Sequence, residues 1–250
     1  MKKEGKTSRM RAGRAIVKSQ VSDAALVTKR REQIVTAAIE LFAGQGYERT
    51  TMLDIARKAG VSVGLIYQYA QTKEDVLFLS LISVLESYKQ EIPRRVESAD
   101  PVESLWSAID AYVRIIDRRR SAALLSYRST KSLPRPQRRI VMQLEVDTND
   151  LIAARVRDCV AAGLFRDIDV ELAVYQIVLH AHGWALKHWR LAQVTTIEKY
   201  IANGFDLLTR GAATPAGLLA YQRFLAERRA IPASTTLVGG RKRGARKIRK

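Results

Sequence analysis

Residues 51–69, TMLDIARKAGVSVGLIYQY, restrict the front of this chain more than any other stretch. Thr51 is followed three residues on by Asp54, the spacing of a weak capping box, and Met52, Ile55 and Ala56 then fall on one helical face. Ala59, Gly60 and Val61 form a turn in which Gly adopts a positive φ at little cost. Ser62 is placed to cap a second short helix, Val63–Tyr69. Two short helices across a tight glycine turn make a helix-turn-helix. In its second helix Ile66 points inward, which leaves Leu65, Tyr67, Gln68 and Tyr69 around a more exposed arc.

The flanks complete a small head. Ile34, Ala38, Leu41 and Phe42, widened by Val35 and Ile39, predict a helix over 29–44 with Thr28 as its cap, although Arg31 stands where a capping box prefers an acid. Gly44 and Gly46 stop that helix, and Tyr47 plugs the underside of the head. Thr72 caps a fourth helix over 73–92, ended by Pro93. Beyond it, helices are expected over 102–117, opened by Pro101 after Asp100, then 118–131, 135–162 stopped at Gly163, 169–191, 195–210 and 215–229. No alternating β pattern of useful length occurs. The expected fold class is all-α, a three-helix head followed by a helical ligand-binding and dimerisation body.

Charge divides the chain in the same way. The formal net charge is +18, but residues 1–31 carry +8, residues 227–250 carry +8, and the stretch between them only +2. The expected organisation is a flexible basic arm over 1–27, the head over 28–75, the body over 76–230 and a flexible basic tail over 231–250. Basic ends suit salt-sensitive contact with phosphates.

A helix fits the major groove of B-DNA, where each base pair presents its own donor and acceptor pattern. Gln68 can pair with an adenine edge, Tyr67 and Tyr69 offer aromatic hydroxyls, and Lys73 can reach a phosphate. Tyrosines are often buried, so a core role for one of the two stays open. Thr51 and the backbone N–H groups after it form a helix N-terminus suited to an anion. Residues 32–75 hold four basic and six acidic side chains, so attraction to phosphate has to come from the arm, with Lys29, Arg30 and Arg31 nearest.

Residues 30–77 resemble the N-terminal domain of the tetracycline-repressor (TetR) family through IVTAAIELFAGQGY, TTMLDIARKAGVS, and GLIYQY followed by TKEDVL. The resemblance implies a dimeric, ligand-responsive, sequence-specific transcriptional regulator, most often a repressor, released from a palindromic operator. It places DNA contacts at Thr51, Met52, Gly64, Leu65, Tyr67, Gln68, Tyr69 and Lys73. Leu65 departs from the small residue frequent there, Val63 replaces a common cation, and Ala70 replaces a common Phe.

One recognition helix reads few base pairs, so a two-fold dimer is expected, on an inverted-repeat operator in double-stranded DNA. Its interface is expected on 169–191, through Leu172, Leu179, Leu186 and Trp189 with Gly183 allowing close approach, and on 195–210, through Ile197, Ile201, Phe205 and Leu208. The reading in which these stripes serve only the monomer core stays open. Ligand contacts are expected among Trp106, Tyr112, Leu125, Tyr127, Met142, Glu145, Val146, Asn149, Gln176, His180 and Trp184, where aromatics and Met suit an apolar ligand and polar groups orient it. Residues 127–139 and 184–189 are similar to segments of TetR-type regulators of acyl-CoA and lipid catabolism. Arg128, Lys131, Arg135 and Arg138 would then meet a CoA phosphate, or else form a solvated basic face.

Other classes find little support. The histidines, 180, 182 and 188, lack HExxH spacing, and neither a P-loop nor a dinucleotide glycine motif occurs. Cys159 is the sole cysteine, which rules out an intrachain disulfide and a cysteine zinc cluster and fits a reducing cytoplasm. No enzyme activity, cofactor or metal is expected. No run approaches the ~18 apolar residues of a membrane span. The competing function is an architectural DNA-binding protein that uses its basic ends without ligand control.

Overall fold

The computed structural model describes residues 17–92 and 98–230. Among these the chain forms eleven α-helices, one 3-10 turn and a single isolated β-bridge between Phe165 and Ala213. Helix α1 (Ala24–Gln45) begins before the expected position 29. Asp23, not Thr28, is its cap, accepting from Ala25 N at 2.9 Å and Leu26 N at 3.1 Å. A carboxylate receiving two helix N–H donors makes charge-assisted bonds that a Thr hydroxyl cannot match. Thr28, inside the helix, donates to the Ala24 carbonyl at 2.9 Å. The expected free arm over 1–27 is corrected from Val17 onward, since Val17 is buried in the core; residues 1–16 and the basic tail 231–250 lie outside the described residues.

Caps set the helices that follow. Thr51 and Asp54 close a capping box on α2 (Met52–Ala59), and Gly60 at φ 67° ends it in the left-handed region. Ser62 caps α3 (Val63–Tyr69) by accepting from Leu65 N at 3.2 Å. Thr72 and Asp75 form a second capping box on α4 (Lys73–Glu91). Ile34, Ala38, Phe42, Tyr47, Ile55, Ala56 and Ile66 bury the apolar faces of α1 to α3 together. The expected head–body boundary at 75/76 falls in the first turn of α4, which packs on α1 at one side and on the body at the other.

In the body, α5 (Pro101–Arg118), capped by Asp100, lies in the middle. The helix expected over 118–131 is α6 (Arg120–Ser129) with a 3-10 turn (Thr130–Ser132). Helix α7 (Arg135–Ala161) ends where Gly163, at φ 66°, reverses the chain. The single helix expected over 169–191 is two. Helix α8 (Val170–Leu186) stops at Lys187, and α9 (His188–Val194) turns back so that the His188 ring meets Trp184 edge-on at 5.2 Å. Helix α10 (Ile197–Ala212) and α11 (Pro215–Ala230) complete the body, with Tyr221 of α11 meeting Phe205 edge-on and Phe224 meeting it at a tilt. One continuous core of buried side chains runs from Val17 to Phe224, through head and body alike.

Candidate nucleic-acid interface and ligand pocket

Helix α3 lies on the head with Ile66 and Tyr69 turned inward and Gly64, Tyr67 and Gln68 outward. Tyr69, expected on the exposed arc and among the DNA contacts, is only 2% exposed, which corrects that expectation. Residues three apart share a helix face, so Tyr69 follows Ile66 into the core. Thr51 is exposed beside α3, while Met52 and Leu65 are half-buried against the core. Lys73 donates to the carbonyls of Tyr47 at 3.1 Å and Glu48 at 3.3 Å and lies 4.4 Å above the Tyr47 ring, so two of its three N–H donors are used within the head. Tyr47 plugs the head as expected, and its hydroxyl donates to Glu74 at 2.8 Å. Residues 60–64 spell G-x-S-x-G, a pattern that belongs to strand-to-helix elbows. Here Ser62 is a helix cap between two helices.

The sequence reading missed how α3 is held at its far end. The Gln68 carbonyl accepts from Gln20 N at 2.8 Å and from the Ser19 hydroxyl at 3.1 Å. The Tyr69 carbonyl accepts from Arg31 Nε at 3.0 Å, and Arg31 also donates to the Val17 carbonyl. The last carbonyls of a helix have no partner within it, and the segment 17–20 with Arg31 supplies them. The one signal in the sequence was Arg31 at a position where a cap prefers an acid.

In the body, α4 to α8 wall a partly open pocket of about 240 Å³. Its lining includes Leu85 and Tyr88 of α4, Tyr112 of α5, Tyr127 of α6, Glu145 and Asn149 of α7, and His182 of α8. His182 bridges two hydroxyls, Nε2 to Tyr112 at 2.9 Å and Nδ1 to Tyr127 at 2.7 Å. Burial lowers its pKa to about 4, so the imidazole is neutral near pH 7. Glu145 stands at the rim; its side chain reaches solvent, yet the surrounding protein raises its carboxyl pKa above the ordinary value. Both amide atoms of Asn149 are buried without a hydrogen-bond partner.

Of the expected ligand residues, Tyr112, Tyr127, Glu145 and Asn149 meet here, and the others stand elsewhere. Trp106 packs edge-on against Phe205 at 5.0 Å, with Arg228 4.7 Å above its ring. Leu125 is in the core, while Met142 is 56% exposed and Val146 also faces solvent. Trp184 donates to Asp117 at 2.7 Å. Gln176 and His180 line a separate hollow between α8 and α10. His182 and Tyr88 were missed. Positions 180 and 182 point to nearly opposite sides of a helix, and the inward one is 182. A larger hollow of about 410 Å³ lies in the head between 17–22, α1 and α4; it is more open, and Lys18, Ser19, Ser22, Arg31 and Glu32 are among its lining residues.

The outer face of α8 carries Leu172, Tyr175, Leu179 and Leu186, all exposed, and Trp189 of α9 is exposed as well. The expected stripe on α10 is corrected. Ile201 and Phe205 are buried in the monomer core, and the apolar residue on the outer face is Leu207, 74% exposed. The helices approach closely at Gly204, where a Cβ would overlap the His180 ring. His180 stacks on Tyr200 with ring centroids 4.2 Å apart.

Two polar links join α4 to α7. Gln137 Nε2 donates to Asp75 at 2.9 Å near the head, and Lys89 pairs with Asp147 at 3.1 Å beside the pocket. Helix α6, which lines the pocket with Ala123, Ser126 and Tyr127, also packs on α1.

Comparison with known proteins agrees with both halves. Residues 34–79 match the family model for bacterial regulatory proteins of the tetR family, and residues 98–189 match a tetracyclin repressor-like C-terminal domain. The HTH-type transcriptional regulator HbdR of Aromatoleum sp. (strain CIB) is 46% identical over 208 residues, covering 83% of this chain and 91% of that protein. The HTH-type transcriptional repressor KstR2 of Rhodococcus jostii (strain RHA1) is 27% identical over 193 residues, covering 74% and 92%. Among solved structures, a regulatory protein in the tetR family from Rhodococcus RHA1 superposes with a TM-score of 0.67 at 24% identity, over 73% of this chain and 96% of that one.

Proposed function

The chain belongs to the TetR family and is a ligand-responsive, sequence-specific DNA-binding transcriptional regulator rather than an enzyme, and on that premise we propose that it is a repressor, held as a homodimer on an inverted-repeat operator and released when a small ligand fills the pocket between α4 and α8. One observation carries this reading: α4, α6 and α7 each touch the head at one end and wall the pocket at the other. A ligand that changes the spacing of these helices acts on α1, against which both α4 and α6 pack and on which α3 sits. A purely architectural DNA binder has no use for a largely apolar pocket in which a few polar groups converge, which favours ligand control over that alternative. The repressor assignment is supported by the name of the KstR2 relative.

Thr51, Gly64, Tyr67 and Gln68 are the proposed outward contacts to DNA, with Met52 and Leu65 at their edge and Lys73 reaching a phosphate with its remaining donor. Tyr69 seats the helix. Two copies would join through Leu172, Tyr175, Leu179 and Leu186 of α8 and Leu207 of α10, apolar side chains that the monomer leaves in water. No described helix is long and apolar enough to cross a membrane, and the proposed site of action is the cytoplasm, where the operator lies.

For the ligand, a small hydrophobic molecule or the acyl end of an acyl-CoA suits the pocket. Arg128, Lys131 and Arg135 are exposed and Arg138 half-buried on the segment after Tyr127, near enough in sequence to meet a phosphate outside the pocket. Selection of bound DNA from random sequence should yield an inverted repeat, and candidate metabolites should release the protein from it. Recovery of sequence-independent binding alone would reject the specific-regulator reading.

A further inference from the structure

We propose, resting on the reading that this pocket is the ligand site, that it selects ligands whose buried end is uncharged, ring-bearing and able to donate and accept hydrogen bonds, as an amide or a hydroxyl-bearing ester does, and that it rejects free carboxylates. The first support is Asn149. It is 6% exposed, lines the pocket, and has neither its amide NH2 nor its carbonyl paired. A buried amide of this kind is complementary to one donor and one acceptor on a neutral group.

The second support is the charge inventory of the wall. Among the described residues no Lys or Arg lines the pocket, and Glu145 is the only acidic one that does. Of the cations on neighbouring turns, Arg119 pairs with Glu91 at 3.3 Å and Lys89 with Asp147 at 3.1 Å, while Arg128, Lys131 and Arg138 stay outside the lining. A neutral imidazole has one N–H, so of the two tyrosines on His182 one accepts from it and the other donates to it. The accepting tyrosine keeps its own O–H as a neutral donor. A carboxylate in this setting would meet neutral donors and a rim carboxyl of its own sign, with no cation to offset its desolvation.

The third support is shape. Tyr88 and Tyr112 meet edge to face with centroids 5.8 Å apart, and Tyr127 meets His182 at 90° and 5.3 Å. These rings wall a space of about 240 Å³. A cavity of about 150 Å³ already accepts benzene, which leaves room here for one polar substituent.

The test uses the full chain with benzamide, benzoate and benzylamine, read by ligand-observed NMR and by thermal shift. Benzamide should bind at least about tenfold more tightly than either ion, the difference that one unpaired buried charge or hydrogen bond makes. Asn149→Leu should abolish the benzamide signal while its own thermal transition stays cooperative. Glu145→Arg should invert the order in favour of benzoate. Tighter binding of benzoate or benzylamine than of benzamide to the wild-type protein overturns the selectivity rule and leaves the pocket as the ligand site. Equal benzamide binding by wild type and Asn149→Leu overturns the rule and the site together, as does the absence of binding by all three probes.

Discussion

The head and the body differ in how completely their polar groups are paired: the caps of the head are exposed yet paired, and its buried Thr50 donates to the Gly46 carbonyl at 2.8 Å, whereas the body pairs some of its buried polar groups and leaves others open. Between α1 and α4, hydroxyls, carboxylates and helix-end carbonyls find partners within the head: Thr51 with Asp54, Thr72 with Asp75, Gln68 with Gln20, Tyr69 with Arg31. Among the described residues, the buried side-chain atoms without a partner are Ser104 Oγ, Gln137 Oε1, both amide atoms of Asn149, His180 Nε2 and Thr209 Oγ1, and every one lies in the body. Unpaired buried groups are costly, so their concentration on one side of the molecule separates two tasks. The head is fixed in advance, as a surface that must match base edges has to be. The body keeps polar groups open where a ligand can pair with Asn149. His180 is open in the hollow beneath the outer face of α8 and α10. Nothing in the structure explains Ser104 or Thr209.

The largest expected effect comes from loosening the head. Ile66 is fully buried at the centre of α3, and Ile66→Ala should cost about 2–5 kcal/mol. Chemical denaturation should register that loss, and operator binding should fall with it. A variant of unchanged stability that still binds DNA would mean that the head is not rigid in the sense used here.

The next effect tests the body through pH. His182 titrates at about 4 in the folded protein because burial disfavours the charged ring, against about 6.5 when unfolded. Between those values the unfolded chain holds a proton that the native state refuses. Stability from His182 is therefore complete above about 6.5 and declines as pH falls towards 4, by roughly 3 kcal/mol in all. The raised pKa of Glu145 acts with opposite sign, since the native state holds that proton more firmly. Comparison of wild type with His182→Gln isolates the imidazole. Equal pH slopes for the two proteins would show that His182 is not held neutral.

A matched pair of substitutions asks whether the contrast is real. Thr72→Ala removes a cap from the head and should destabilise by about 1 kcal/mol. Asn149→Leu replaces an unpaired buried amide with a side chain of similar size and should stabilise by about 1 kcal/mol while abolishing the response to ligand. Stability changes of the same sign would remove the basis for separating the two regions.

How much of this was legible in the sequence follows the same division. The caps at Thr51, Ser62 and Thr72 could be read directly because their partners lie within three residues. Burial of Tyr69 could not, since a seven-residue helix offers too few turns to fix its phase. The body was read as all helix, but the facing of α8 and α10 was not. Helix α8 is apolar on two sides, with Val174, Val178 and Ala181 inward and Leu172, Leu179 and Leu186 outward, so periodicity alone does not say which side meets the core. The choice of Gln176 and His180 over His182 as pocket residues came from that ambiguity, whereas Ile201 and Phe205 share the single apolar face of α10, and the sequence does not say whether such a face meets the monomer core or a second copy. The hold of Arg31 and Ser19 on the end of α3 depends on contacts 38 and 49 residues apart, which no local pattern records.

The smallest expected effect lies at the seam between the regions. Gln137 donates to Asp75, a carboxylate that already accepts from the N–H groups of Gln71 and Thr72 at the start of α4. The same helix α7 that carries Gln137 lines the pocket with Val141, Glu145, Thr148 and Asn149. The capping box survives the loss of Gln137, so Gln137→Ala should leave ligand-free operator affinity within about threefold. The hydrogen bond between α7 and the first turn of α4 does not survive, and a bond of this kind contributes about 0.5–1.5 kcal/mol. The ratio of operator affinities without and with ligand should therefore shrink by about threefold to tenfold, with Arg139→Ala on the exposed side of α7 as the control. If free and ligand-bound affinities fall by the same factor, the bond merely supports the head, and coupling runs through α4 and α6 alone.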